Sequence, residues 1–165
     1  MKHYFCYSSA LDAAAFHEWK VAHNYESFSL PKGIPAVALG VSYIFDFPSR
    51  YWGGRVLSLA RLTDEAQPAD VHGVLFEIPD SSWPVIQHKE GVVTGASVEL
   101  RVQVLAGNKI VMASAFVTNP ERVSIEGPVS LKFLETVLKA YETAGVPESA
   151  RASIRQAAGY SLATN

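Results

Sequence analysis

The chain lacks the features that mark secreted, membrane-spanning or nucleic-acid-binding proteins. Its 165 residues contain one cysteine, Cys6, so no intramolecular disulfide can form, and the surrounding apolar run favours a buried thiol over a nucleophile. Charged residues make up only 18% and the net charge is -2, without the basic footprint that nucleic acids or anionic membranes require. No apolar run approaches the roughly 20 residues of a membrane span, and no signal-peptide pattern opens the chain. We therefore expect a cytoplasmic location and a small neutral or zwitterionic partner.

Apolar residues are plentiful. They make up 48% of the chain, which at this length is enough to bury a full core. No internal repeat is visible. We expect one domain over residues 1–165.

Strand patterns predominate, with helical patterns near the start, the middle and the end. Turn residues, β-branched runs and the change of period after Pro128 separate the elements. The predicted strands cover 4–7, 37–47, 56–62, 71–78 (after a turn at 64–70), 96–105 and 109–117. The predicted helices cover 13–22, capped by Asp12, then 84–89, a stretch from Leu131 up to the breaker Gly145, and 150–158. This order predicts an α+β fold.

The clearest alternation lies in the predicted hairpin around Gly107. Four apolar residues should face the core and four polar residues should face water. The core set is Val98, Leu100, Val102 and Val104, and the polar set is Ser97, Glu99, Arg101 and Gln103.

Glu90 is the main catalytic candidate. It lies in the segment 88–95, on a glycine-flanked turn between a helix-like stretch and a strand, and such junctions carry function more often than helix faces do. Taken alone, a turn glutamate is more often an ordinary surface carboxylate. Its candidacy depends on the pattern of the rest of the chain.

Five short motifs occur in a fixed order along the chain. They are Tyr7-Ser8-Ser9-Ala10-Leu11, Trp52-Gly53-Gly54, His72-Gly73-Val74-Leu75, Glu90-Gly91-Val92 and Gly145-Val146-Pro147. In their order and spacing they resemble the γ-glutamylcyclotransferase superfamily, which has a tyrosine-glycine-serine-asparagine-leucine loop after its first strand and a catalytic glutamate followed by glycine. The resemblance covers nearly the whole chain, although each motif by itself is unspecific.

The resemblance implies a small mixed β-barrel flanked by helices, with a substrate cavity at one barrel end. It also implies a small-molecule substrate, with Glu90 as general acid/base in the formation of 5-oxoproline from a γ-glutamyl amide. The substrate-binding residues would be Tyr7, Ser8, Ser9, Ala10 and Leu11 in the loop after the first strand, with Trp52, Gly53 and Phe133. We expect no cofactor and no metal, since the five histidines show no metal-binding spacing. A homodimer is left open.

Three positions depart from the family pattern. Ser8 stands where the family has glycine, Ala10 where it has asparagine, and Phe133 where it usually has tyrosine. These changes favour either an altered substrate or a loss of the cyclotransferase activity. The alternatives to that activity are a non-catalytic small-ligand-binding or regulatory protein on the same fold, and an amide hydrolase or lyase that acts on a different small acid.

Overall fold

Seven strands and four helices form the part of the chain that the computed structural model describes, residues 1–63 and 71–159. The predicted α+β class is confirmed. The strands are β1 (Lys2–Cys6), β2 (Ile34–Leu39), β3 (Val41–Ser49), β4 (Gly54–Arg61), β5 (Val71–Ile78), β6 (Ser97–Ala106) and β7 (Lys109–Thr118). The helices are α1 (Ala13–Ala22), α2 (Trp83–Lys89), α3 (Leu131–Thr143) and α4 (Glu148–Ala157). The predicted turn at 64–70 lies outside the described residues.

Five strands close into a barrel in the order β1-β5-β2-β6-β7. Four of the five contacts between neighbours are antiparallel, and β7 meets β1 in parallel at Tyr4 and Ser114. The barrel is therefore mixed and flanked by helices, as the resemblance implied. Closure also leaves no free barrel edge that could pair with another chain.

Gly73 allows the close approach of β1 to β5. A Cβ built at this position would lie 2.4 Å from the carbonyl oxygen of Cys6, which is backbone and cannot swing aside. Any larger residue would therefore separate the two strands.

The predicted single strand over 37–47 is wrong. Gly40 has φ +73, a left-handed conformation that glycine adopts without strain, and the chain turns there. Strand β2 stays in the barrel, whereas β3 pairs with β4 in a separate two-stranded sheet. The residues on both sides of Gly40 favour strands, so the sequence predicted one continuous strand. Strand propensity does not indicate which sheet a strand joins.

The predicted hairpin of β6 and β7 is confirmed, with Gly107 at its turn at φ +62. Val102 and Val104 are buried as expected. The alternation fails at the start of β6, where Val98 is 36% exposed and Ser97 is only 7% exposed. The Ser97 N–H donates to the carbonyl of Gly91 at 3.3 Å, so the loop that begins at Gly91 packs against the start of β6.

Side chains cap the starts of α1 and α3, and the cap at Asp12 was predicted. The carboxylate of Asp12 accepts the Ala15 N–H at 2.8 Å, and the hydroxyl of Ser130 accepts the Phe133 N–H at 3.2 Å. In α3 the predicted apolar face is confirmed at Leu134 and Tyr141, but Leu131 is 54% exposed. Within the described part of the chain, no helix is long and apolar enough to cross a bilayer.

Candidate active site

A cavity of about 290 Å³ lies where α1, the end of α2, the β3–β4 sheet and the barrel meet. This is close to the lower limit of volumes typical for small-molecule sites. Six of the predicted site residues line it: Tyr7, Ser8, Ser9, Trp52, Glu90 and Phe133. The other three predicted residues, Ala10, Leu11 and Gly53, are not among its lining residues.

Glu90 ends α2 in a geometry that its sequence neighbours dictate. Gly91, at φ +83, donates its N–H to the carbonyl of His88, and Val92 donates to the carbonyl of Gln87. This pair of hydrogen bonds is the Schellman motif, which needs a left-handed residue after the helix. The motif fixes the backbone of Glu90 at the point where α2 ends, and its half-buried side chain lines the cavity.

The Tyr4 hydroxyl donates a hydrogen bond to Glu90 Oε1. Tyr4 lies in β1 and is only 1% exposed. Burial raises the pKa of its phenol well above the usual value, and the neighbouring Cys6 and Glu90 raise it further. The phenol therefore remains protonated and acts only as a donor toward the carboxylate.

Cys6 lies on the same side of the barrel as Tyr4, in the same buried cluster. Burial raises the pKa of its thiol to about 12, and the negative charge of Glu90 acts in the same direction. The predicted buried thiol is confirmed. A protonated, inaccessible sulfur is a poor nucleophile.

The loop after β1 differs from the pattern that the resemblance implied. Ser8 has φ −129 and ψ −156, an extended conformation that any residue adopts, so its Cβ causes no backbone strain. The chain then forms a single 3₁₀ turn over Ser9–Leu11, in which the Leu11 N–H bonds the Ser8 carbonyl at 3.1 Å. Ala10 is 5% exposed and packs in the cluster that contains Tyr4 and Cys6.

The Trp52-Gly53-Gly54 stretch holds the β3–β4 sheet against the start of α3. Gly53 turns the chain at φ +70, and a Cβ on Gly54 would lie 2.8 Å from the backbone nitrogen of Ser130. The Ser130 hydroxyl donates to the Trp52 carbonyl at 2.7 Å. The rings of Trp52 and Phe133 meet edge to face, with centroids 5.3 Å apart, and form one apolar wall of the cavity.

A polar network on the barrel side of the cavity was not predicted. The Thr118 hydroxyl donates to the buried carboxylate of Asp46 at 2.7 Å, and the Thr118 N–H donates to the Ser58 hydroxyl at 3.0 Å. Ser58, Ser97 and Thr118 line the cavity. Polar residues at inward positions of otherwise apolar strands were the signal that could have pointed to them.

One face of α1 also lines the cavity, and the sequence analysis did not predict this. Trp19 and His23 stack with ring centroids 4.6 Å apart, and His88 from α2 contacts both rings edge to face. The Lys89 ammonium lies 5.9 Å from the Trp19 ring centroid. Together these side chains join the first helix to the helix that carries Glu90.

Carboxylates and hydroxyls dominate the polar part of the cavity. Across residues 1–63 and 71–159, no group of three His, Cys, Asp or Glu side chains is arranged to hold a metal ion. The arrangement can hold a small polar molecule against an aromatic wall and offer it the half-buried Glu90 carboxylate for proton transfer, whereas the other lining carboxylate, Glu18, is exposed.

Comparison with known proteins agrees with the fold. Residues 70–151 match the AIG2-like family. YkqA from Bacillus subtilis has a similar structure (TM-score 0.73, 23% identity over 94% of this chain), and the match spans 54% of the YkqA chain. No curated protein matches the chain.

Two cyclotransferase structures share the fold. One is a γ-glutamyl cyclotransferase with a TM-score of 0.74 and 17% identity, covering 99% of this chain and 91% of that chain. The other is a γ-glutamyl cyclotransferase specific to glutathione from yeast, with a TM-score of 0.61 and 14% identity, covering 94% of this chain and 96% of that chain. These neighbours show that the chain has the γ-glutamylcyclotransferase-like fold.

Proposed function

We propose that the protein is a γ-glutamylcyclotransferase-like enzyme that converts a γ-glutamyl amide, or a closely related small substrate, into 5-oxoproline and a free amine or amino acid. The observation that carries this proposal is the half-buried carboxylate of Glu90, which lines a cavity of about 290 Å³ and accepts a hydrogen bond from Tyr4. One carboxylate is enough for this reaction, because the nucleophile is part of the substrate.

Glu90 is the proton carrier in the proposed reaction. It removes a proton from the substrate α-amino group, whose nitrogen attacks the γ-carbonyl carbon and forms the new N–C bond. The bond from that carbon to the leaving nitrogen then breaks, and the proton on Glu90 passes to the leaving nitrogen. Closure of a five-membered ring supplies the proximity that a two-substrate reaction would lack. Transfer by a positioned acid/base contributes about 10² to 10⁴ in rate.

The remaining lining residues have binding roles in this proposal. Ser8 and Ser9 contact the glutamyl end from the loop after β1, where their N–H groups and hydroxyls are hydrogen-bond donors. Trp52 and Phe133 provide the apolar wall. Tyr7 lines the same cavity, and its hydroxyl donates to the Phe116 carbonyl, which fixes the ring.

The broader setting is also a proposal. We infer a cytoplasmic enzyme whose single domain covers 1–165, without a cofactor, and a homodimer remains one outcome of a measurement of solution mass. The buried, unpaired Cys6 supports a reducing compartment.

A second candidate is a non-catalytic protein that binds a small ligand on the same fold. The loop after β1 favours it: the Leu11 N–H is used within the loop, and neither Ala10 nor Leu11 lines the cavity. Fewer backbone donors then remain to hold the substrate than the resemblance implied.

Mass spectrometry of the products separates these functions. The protein is incubated with a panel of γ-glutamyl amides, γ-glutamyl amino acids and glutathione, with the Glu90→Gln variant as the control. Formation of 5-oxoproline together with the free amine supports the cyclotransferase. Free glutamate in place of 5-oxoproline indicates a hydrolase. Binding of a panel member without any product indicates the non-catalytic protein.

A further inference from the structure

Tyr4 is the one side chain for which the structure gives a hydrogen bond to the Glu90 carboxylate, among the residues described. Tyr4 is not a cavity-lining residue, so it does not meet a substrate bound there. Its ring is enclosed by other aromatic rings: Phe76 is stacked on it at 6.0 Å between centroids, Trp83 meets it edge to face at 6.5 Å and Phe116 is tilted against it at 6.1 Å. The phenol therefore has one fixed direction.

The backbone of Glu90 is fixed as well, by the Schellman motif at the end of α2. A glutamate side chain nevertheless keeps three rotatable bonds, and fixing the backbone does not fix the carboxylate. The Tyr4 hydroxyl removes that freedom at Oε1. The second oxygen, Oε2, is then the one available for proton transfer.

The position of Glu90 at the end of α2 also favours a hydrogen-bond donor beside its carboxylate. A carboxylate at the C-terminal end of a helix lies near the negative end of the helix dipole, which is an unfavourable arrangement. A hydrogen bond from a neutral donor holds the carboxylate in place without adding a cation that would pair with the base and block it. A buried, protonated phenol has these properties.

We propose that Tyr4 is a positioning residue for the reaction. Its hydroxyl holds Oε1 of Glu90 so that Oε2 can take the proton from the substrate amine and return it to the leaving group. This inference rests on the proposed function, because it assigns Tyr4 a role only through Glu90.

Tyr4→Phe tests the inference. The substitution keeps the enclosed ring and removes only the hydroxyl. Because Tyr4 does not meet the substrate, kcat should fall at least about 10-fold while KM changes less than about 2-fold, since misplacement of a reacting group by a fraction of an ångström has effects of this size.

Tyr43→Phe is the matched control. It also removes a phenol hydroxyl from a half-buried ring, one that bonds the backbone of His72 and the hydroxyl of Tyr141, but Tyr43 is not a lining residue of the cavity. It should lose stability to a similar degree and keep kcat. An equal loss of kcat in both variants would show that general loosening of the fold is responsible and would overturn the inference.

A double substitution gives a readout that a structural role would not move. In the Glu90→Gln background, Tyr4→Phe should cause no further loss of the residual turnover, because the two side chains act as one unit. The inference would be overturned if the loss of turnover in the double variant equalled the product of the losses in the two single variants. Wild-type kcat in Tyr4→Phe would also overturn it while leaving the proposed function intact, whereas a wild-type protein that forms no 5-oxoproline would contradict the proposed function itself.

Discussion

At the scale of single residues, the candidate site combines a carboxylate at the end of a helix with a buried phenol that donates a hydrogen bond to it. Glu90 was predicted as the catalytic candidate because it lies on a glycine-flanked turn at an element junction and because the resemblance aligns it with a catalytic glutamate. Its partner Tyr4 was not, because the two are 86 residues apart and no local pattern reports such a contact. Local sequence identifies a functional carboxylate more readily than the groups that orient it.

The departures from the family pattern at Ser8 and Ala10 can be tested together. The double change Ser8→Gly and Ala10→Asn should not create or increase turnover of simple γ-glutamyl amino acids. Ser8 is already extended, so glycine relieves no strain, and Asn at position 10 would place an amide in the apolar cluster around Tyr4. We expect a loss of about 1–3 kcal/mol in unfolding free energy, measured by urea denaturation. A stable double variant with a several-fold gain in turnover would contradict this account of the loop.

At the scale of elements, the ends of strands and helices determine where the site residues lie. The helix start at Asp12 was predicted because capping chemistry is local, and the start of α3 was predicted from the change to helical spacing after Pro128. The break at Gly40 was missed, since the residues on both sides favour strands equally. Which sheet β3 joins depends on pairing with β4, a contact that the strand pattern does not contain.

Gly91→Ala tests the end of α2, with Gly95→Ala as its control. Both glycines have positive φ, at +83 and +72, so each alanine should cost about 1–2 kcal/mol. Only Gly91 adjoins Glu90, and a Cβ there would also lie 3.3 Å from the Ala96 side chain. We therefore expect turnover to fall at least about 10-fold in Gly91→Ala and to stay near wild type in Gly95→Ala. Equal turnover in the two variants would show that the Schellman motif does not position Glu90.

At the scale of the whole molecule, the barrel places residues from distant parts of the chain around one cavity. The α+β class followed from the order of elements, but the barrel itself came from the resemblance, because periodicity does not show that a sheet closes. The polar network of Asp46, Ser58 and Thr118 was missed for the same reason: its members meet only after the β3–β4 sheet packs against β7.

Gly73→Ala tests the contact between β1 and β5, with Gly107→Ala as the control. The Cβ at position 73 would clash with the Cys6 carbonyl, whereas the one at 107 meets nothing within 4 Å. We expect Gly73→Ala to lose at least about 2 kcal/mol in unfolding free energy from overpacking, and Gly107→Ala about 1–2 kcal/mol from its positive φ.

Chemical labelling of Cys6 tests the same contact between β1 and β5. Burial raises the pKa of its thiol to about 12. This pKa lies above that of a cysteine in the unfolded chain, so the folded state favours the protonated thiol. The stability that this preference contributes is lost as the pH rises through the pKa of the folded state. A thiol-specific reagent at pH 8 should therefore label wild type slowly and Gly73→Ala much faster. Rapid labelling of folded wild type would contradict the burial of Cys6.

The central claim is that Glu90 carries the proton in ring closure. The most direct test is the rate of 5-oxoproline formation by wild type and by Glu90→Gln, with a substrate identified from the γ-glutamyl panel. Glutamine keeps the size of the side chain and can still accept from Tyr4, but it cannot cycle a proton. The account predicts an unchanged thermal unfolding transition and a rate lowered at least about 10²-fold. A folded Glu90→Gln variant that forms 5-oxoproline at the wild-type rate would contradict it.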